Sequence, residues 1–227
     1  MKKLLITIDG PAGAGKTTVS RALADRLGYT YVDTGALYRG VAWEAGRHNI
    51  AADEDESLAV LCAGIDLRFI RDHRGTRLFS GDADITDLIR TPDMSMRASA
   101  VSARPAVRRA LLDIQRKLGA EKGAVFEGRD MGTVVFPAAD VKFFLTADLK
   151  ARALRRYREL AAISPQDLAD VEADMETRDR NDATRAAAPL KPAEDAVIID
   201  STQQPAEDVV AAMMAHIADR FGHPVIF

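Results

Sequence analysis

The run Gly10-Pro11-Ala12-Gly13-Ala14-Gly15-Lys16-Thr17-Thr18 concentrates more chemistry than any other part of the chain. Its spacing, G-x-x-x-x-G-K-[ST], is that of a loop that cradles phosphates. The glycines let successive backbone N–H groups turn toward one centre. Lys16 can reach β- and γ-phosphates as a point charge, and the Thr17 hydroxyl can ligate Mg²⁺. A glycine-rich turn that binds nothing is the competing reading. A strand before the loop, a helix after it and all four signature positions favour the phosphate loop. The motif implies a nucleoside triphosphate and leaves the acceptor open.

A second concentration of charge lies later. Arg152, Arg155, Arg156 and Arg158 sit on one predicted helix, the first three at i, i+3, i+4 spacing, and Arg178, Arg180 and Arg185 follow. A solvated face balanced by Glu159, Asp167, Asp170, Glu172, Asp174 and Glu176 is the plain reading, and the one preferred for Arg156, Arg158 and Arg180. Phosphoryl transfer needs cations that neutralise spreading charge, and two arginine clusters around a polar segment suit a closing lid. No Ser-His-Asp, Cys-His or paired-histidine arrangement is present, and His48, His73, His216 and His223 are scattered. A hydroxyl acceptor would want a base. A nucleoside monophosphate needs none, because the second phosphate pKa is about 6. Arg39, Arg108 and Arg129 could hold such an acceptor; a carboxylate base such as Asp33 stays open.

These groups need a scaffold. Leu4–Ile8, Tyr29–Asp33, Gly123–Phe126, Val141–Leu145 and Ala196–Asp200 read as short buried strands separated by helical patterns. Asp33-Thr34-Gly35 reads as a break before a helix carrying Leu37, Val41 and Ala45. Residues 93–118 read as helix broken near Pro105, and Pro205 opens a last helix striped by Val209, Met213, Ile217 and Phe221. The alternation predicts a doubly wound α/β fold with a five-stranded parallel sheet. Its strand ends, carrying Gly10–Thr17, Asp33–Gly35 and Gly128–Asp130, should converge, because ligands bind there. Residues 65–90 differ. They alternate and turn at Asp72-His73-Arg74-Gly75 and at Ser80–Asp84, like a small antiparallel β insertion over the acceptor site or a mere surface hairpin. The 162–175 connection reads as an unremarkable mobile stretch.

At 227 residues, 47% apolar and 29% charged, the chain suits one large soluble enzyme domain. The expected division is a core (1–61, 91–150, 190–227), an inserted monophosphate-binding subdomain (62–90) and a lid (151–189). A net charge of −3 indicates no general nucleic-acid or membrane partner. Cys62 is the sole cysteine and is expected to be a buried structural thiol. No signal peptide or membrane span is read, so a cytoplasmic location is expected.

The sequence resembles bacterial cytidylate kinases, nucleoside monophosphate kinases of the P-loop class, from about Leu4 to Met214. The likeness rests on Ile8–Pro11 through the loop, Asp33-Thr34-Gly35-Ala36-Leu37-Tyr38-Arg39, Glu127-Gly128-Arg129-Asp130-Met131-Gly132-Thr133-Val134-Val135-Phe136-Pro137, and Arg178-Asp179, Asp182, Arg185 and Ala188-Pro189-Leu190. Asp200-Ser201-Thr202 also fits. The run within Glu127–Pro137 and the spaced run from Arg178 to Leu190 are the specific ones, and with the 65–90 insertion they separate it from adenylate and shikimate kinases.

The resemblance implies ATP binding by Gly10 through Thr18, with Thr17 on Mg²⁺. It places Thr34, Arg39 and Arg129 at the acceptor phosphate, and Ser99, Arg108 and Asp130 at the cytosine. Asp182 and Arg185 would hold the sugar, and Lys16, Arg155 and Arg178 would act on the transferring phosphates. Arg90 matches a family position but is given no contact. Thr34 stands where serine is common, and Thr17-Thr18 where glycine or serine often comes first. The implied activity is ATP-dependent phosphorylation of CMP and dCMP by a monomer acting on small nucleotides. A kinase preferring UMP or AMP, and a nucleotide-dependent switch or binding module, are the alternatives.

Overall fold

The three inner strands of the parallel sheet, Leu5–Asp9, Ala124–Gly128 and Val141–Thr146, are runs buried on both faces or nearly so, as helices covering both sides require. A computed structural model describes residues 3–72, 75–161 and 165–222. The strands are β1 (Leu5–Asp9), β2 (Thr30–Asp33), β3 (Leu67–Asp72), β4 (Gly75–Ser80), β5 (Ala83–Asp84), β6 (Ala124–Gly128), β7 (Val141–Thr146) and β8 (Val197–Asp200). The helices are α1 (Lys16–Leu27), α2 (Thr34–Arg47), α3 (Asp55–Gly64), α4 (Pro92–Ser102), α5 (Pro105–Gly119), α6 (Leu149–Leu160), α7 (Leu168–Thr184) and α8 (Ala206–Phe221).

Five strands form one parallel sheet in the order β2-β6-β1-β7-β8, as the alternation predicts. The register pairs Asp9 with Gly128 and Asp33 with Glu127, so three strand ends finish level. The expected antiparallel insertion is present as a separate β3-β4-β5 sheet. The turn predicted between β3 and β4 centres on His73 and Arg74, which lie outside the described residues, as does His223.

By their contacts the residues divide into two units. One comprises residues up to Asp33, 118–184 and from 188 on; the other comprises 34–117 and 185–187. The first has a core of Ile6, Ile8, Leu23, Val125, Phe143 and Leu145 with the α8 stripe Val209, Met213 and Ile217. A smaller cluster, Ala153, Leu160, Val171 and Met175, joins α6 to α7. The second unit is centred on Leu37, Val41, Leu58, Leu78, Ile85, Val101 and Leu111. Cys62 belongs to that core, a buried free thiol as expected.

One expectation holds in a tighter form and one is corrected. Asp33-Thr34-Gly35 ends β2 as expected, and α2 begins at once, at Thr34 itself. A glycine in a helix costs about 1 kcal/mol, and burial of Ala36, Leu37, Tyr38 and Val41 outweighs it. The second half of the 162–175 connection is not loose, since Leu168–Thr184 is one helix of 17 residues. Val171 and Met175, four apart, give it a narrow buried stripe that its many charges hide in the sequence. A π turn at Met131–Val135 and helix α3 were also not anticipated.

Candidate active site

The phosphate loop leaves β1 under tight backbone constraint. Gly10 has φ of +148°, and a Cβ there would lie 1.9 Å from the Leu145 carbonyl oxygen. Gly13, at +71°, lies so close to Arg152 and Met175 that any side chain would collide. Just before the loop, the Asp9 carboxylate accepts from the backbone N–H groups of Met131 (2.9 Å) and Gly132 (2.7 Å). These are the opening residues of the π turn, so Asp9 fixes the chain just past Asp130. Burial pushes its carboxyl up to about 6, with the two N–H groups opposing.

Lys16 is buried, and its ammonium donates to the Pro11 carbonyl at 2.7 Å across its own loop. Burial pulls its pKa down to about 7; the Arg129 and Arg178 charges add to this, and Glu127 and Asp9 oppose it. Thr17 and Thr18, on the first turn of α1, are exposed. The helix N-terminus therefore presents hydroxyls and orphan N–H groups beside a cation short of counter-charge, which suits a polyphosphate.

Behind Thr17 lies a carboxylate. Its hydroxyl donates to Glu127 Oε1 at 2.9 Å, and the Tyr31 phenol donates to Glu127 Oε2 at 2.6 Å. Burial pushes the Glu127 carboxyl up, and repulsion from Asp33 adds to it. Burial and the Asp33 and Glu127 charges raise the Tyr31 phenol well above its ordinary range, which keeps it a donor. Among the described residues no group of three or more His, Cys, Asp or Glu could hold a metal. The donor set fits Mg²⁺ bound mainly by nucleotide phosphates and water, with Thr17 the hydroxyl available to it and Glu127 taking that hydroxyl's proton.

The arginines separate by partner. Arg129 Nε donates to Asp182 at 3.0 Å, and Asp182 is buried. Arg152, read only as one of a cluster, turns inward: it donates to Asp179 at 2.6 Å, to the Ala147 carbonyl at 2.8 Å and to the loop carbonyl of Ala12 at 3.2 Å. Arg155 donates to Ser201 Oγ at 3.1 Å and to the Ser201 and Thr202 carbonyls at 2.5 and 3.3 Å. Ser201 Oγ in turn donates to the Ala14 carbonyl at 2.9 Å, tying β8 to the loop. Arg178 stands near enough to Lys16 to depress its pKa. Arg156 pairs with its helix neighbour Glu159. Asp130 is buried, and its carbonyl accepts from Val134 and Val135 at the π turn.

In the second unit, Thr34 is buried at the start of α2, with Arg39 further along that helix. Ser99, Arg108 and Arg185 are gathered by Ser102. Its hydroxyl donates to the Ser99 carbonyl at 2.7 Å and accepts from Arg185 at 3.3 Å; its carbonyl accepts from Arg108 at 3.3 Å. The Arg108 guanidinium lies 5.9 Å from the Tyr38 ring centroid.

The family model described as cytidylate kinase matches residues 6–219. The chain belongs to the cytidylate kinase family. A cytidylate kinase of Geobacter sp. (strain M21) is 49% identical over 218 residues, covering 96% of this chain and 94% of its own. That of Shewanella piezotolerans is 44% identical, covering 97% of both chains. Among solved structures, the shikimate kinase of Acinetobacter baumannii in complex with shikimate aligns over 97% of this chain and 96% of its own, with TM-score 0.51 at 15% identity. A gluconokinase from Sinorhizobium meliloti 1021 aligns over 96% and 93%, with TM-score 0.50 at 15% identity. At such identities these two speak for the fold alone.

Reading a cytidylate kinase from sequence missed four groups. Glu127 lies inside the family-specific run but was given no role, and Tyr31 was only a strand residue. Ser201 fell in a matching stretch without a contact, and Ser102 carried no signal at all. Glu127 carried one signal, a carboxylate closing an otherwise apolar strand, where a buried charge is costly unless partnered.

Proposed function

We propose that this cytidylate kinase transfers the γ-phosphoryl group of ATP to CMP and dCMP, giving CDP or dCDP and ADP. The observation that carries the reading is the phosphate loop, with buried Lys16 and exposed Thr17 over Glu127, on a chain that matches the family from residue 6 to 219. Gly10 through Thr18 hold the triphosphate. Mg²⁺, when bound, screens the β- and γ-phosphate charge, and Thr17 is the residue assigned to it. Lys16, Arg155 and Arg178 act on the transferring group by position and charge, and covalent chemistry by the protein is not required. For Arg155 this means leaving the Ser201 and Thr202 carbonyls when the lid, about 151–189, closes.

Thr34, Arg39 and Arg129 are assigned to the acceptor phosphate, Asp182 and Arg185 to the sugar hydroxyls, and Ser99, Arg108 and Asp130 to the cytosine. An ionised carboxylate accepts only, so Asp130 suits the cytosine N4–H₂ and repels uracil O4. Residues 62–90 serve the acceptor side. We take the protein to act in the cytoplasm as a monomer on small nucleotides; no described helix is long and apolar enough to cross a membrane.

The test is ADP release coupled to a reporter reaction, with CMP, dCMP, UMP and AMP offered side by side. Turnover should depend on acceptor, with CMP and dCMP preferred. ATP turnover independent of any acceptor would instead favour a nucleotide-driven switch.

A further inference from the structure

A hydroxyl that ligates a cation must point a lone pair at it, so its proton has to go elsewhere. Thr17 has one proton, and Glu127 Oε1 takes it at 2.9 Å. The direction of the Thr17 lone pairs is therefore set by where Oε1 sits. A carboxylate can rotate about its last bond, and that rotation needs a second anchor.

Tyr31 supplies one. Its phenol donates to Oε2 at 2.6 Å, so each Glu127 oxygen has its own donor and the carboxylate plane is fixed. The phenol is fixed in its turn. The Arg21 guanidinium lies 5.2 Å from the Tyr31 ring centroid, within cation–π range. Arg21 stands four residues after Thr17, on the same face of α1. Asp33 is level with Glu127 in the register, and Tyr31, two residues earlier, shares its face of β2. Two helix residues thus stand over two strand residues in a closed ring: Thr17 to Glu127, Glu127 to Tyr31, Tyr31 to Arg21, and back along one turn of α1.

We infer that Tyr31 is a positioning residue for the metal. Through Glu127 it orients the Thr17 hydroxyl that the divalent cation uses. It touches neither nucleotide nor cation. This rests on the assignment of Thr17 to Mg²⁺ made above. Partners in this outer layer of a metal site typically contribute about 10–100-fold in metal affinity.

The test is Tyr31→Phe, which keeps the ring and its packing and removes only the hydroxyl. Mn²⁺ serves as the probe: free Mn²⁺ is followed by electron paramagnetic resonance with enzyme and ADP present. ADP affinity in EDTA is measured alongside. Tyr31→Phe should raise the Mn²⁺ Kd about 10-fold while leaving ADP affinity in EDTA within twofold. Loss of both together would mean general damage to the loop and would overturn the inference. So would an unchanged Mn²⁺ Kd. Thr17→Val separates the levels. If it leaves the Mn²⁺ Kd unchanged, the assignment of Thr17 is wrong and Tyr31 falls with it. If it weakens Mn²⁺ and Tyr31→Phe does not, only the role of Tyr31 is lost. In a Glu127→Ala background, Tyr31→Phe should have no further effect on Mn²⁺; a persisting effect would exclude action through Glu127.

Discussion

Raising the pH should weaken triphosphate binding through one amine. Lys16 is buried beside Arg129 and Arg178, and its pKa falls from 10.5 to about 7. Above that pH the free protein holds a neutral amine. A polyphosphate placed against Lys16 favours the ammonium and draws a proton in. At pH 8 about 0.9 of the lysines are neutral, so binding takes up about 0.9 proton, and each further pH unit costs about tenfold in affinity. Between pH 7.5 and 9 the Kd for ATP in EDTA should rise about 25-fold. Phosphate itself adds nothing in that window, its second ionisation lying near 6. Calorimetry in buffers of different ionisation enthalpy reads both the Kd and the proton. Lys16→Arg is the control, since a guanidinium stays charged throughout and should give a flat profile. The same shift has a consequence for stability. A lysine whose pKa is depressed in the fold destabilises it while protonated in both states, so the unliganded protein should gain stability as pH climbs from about 7 to 10.5. A Kd constant within twofold from pH 7.5 to 9, with no proton uptake, would refute the account of Lys16.

Three further expectations follow from the geometry. Arg152→Met leaves Asp179 without its cation and two carbonyls without a donor, so unfolding by urea, followed by circular dichroism, should show a loss of about 3–5 kcal/mol; a loss under about 1 kcal/mol would contradict the packing argument. Asp130→Asn gives the base pocket a group that donates as well as accepts, and the CMP/UMP ratio of kcat/KM should fall at least ~10-fold, or about 1.4 kcal/mol. An equal drop for both bases would make Asp130 a scaffold residue. Gly10→Ala drives a Cβ into the Leu145 carbonyl at a backbone angle that suits glycine, so turnover should vanish and the melting temperature should fall; near-normal turnover would show that the loop relaxes freely.

The sequence by itself determined the elements and the main motif, because both are written in neighbouring residues. Leu4–Ile8 is apolar but for Thr7 and is closed by Asp9 and Gly10, so it reads as a buried strand. Gly10–Thr17 carries its chemistry in its own spacing. The α8 stripe repeats every four residues and needs no partner to be read. The insertion was legible for the same reason, as alternation between turn residues.

What the tertiary structure decided are the pairings between distant residues. Tyr31 and Glu127 lie 96 positions apart and meet only because the order β2-β6-β1 puts a late strand between two early ones. Nothing local in either strand states that order. Arg152 was one arginine among seven until α7 brought Asp179 to it, 27 positions away. That helix was itself hidden, because two buried apolar residues among seventeen leave a weak periodic signal that only packing against α6 makes sufficient. Local patterns fix conformation residue by residue. Which charges are buried together, and hence which lysine loses its proton and which hydroxyl is turned, is fixed by chain closure over long separations, where no short-range rule operates.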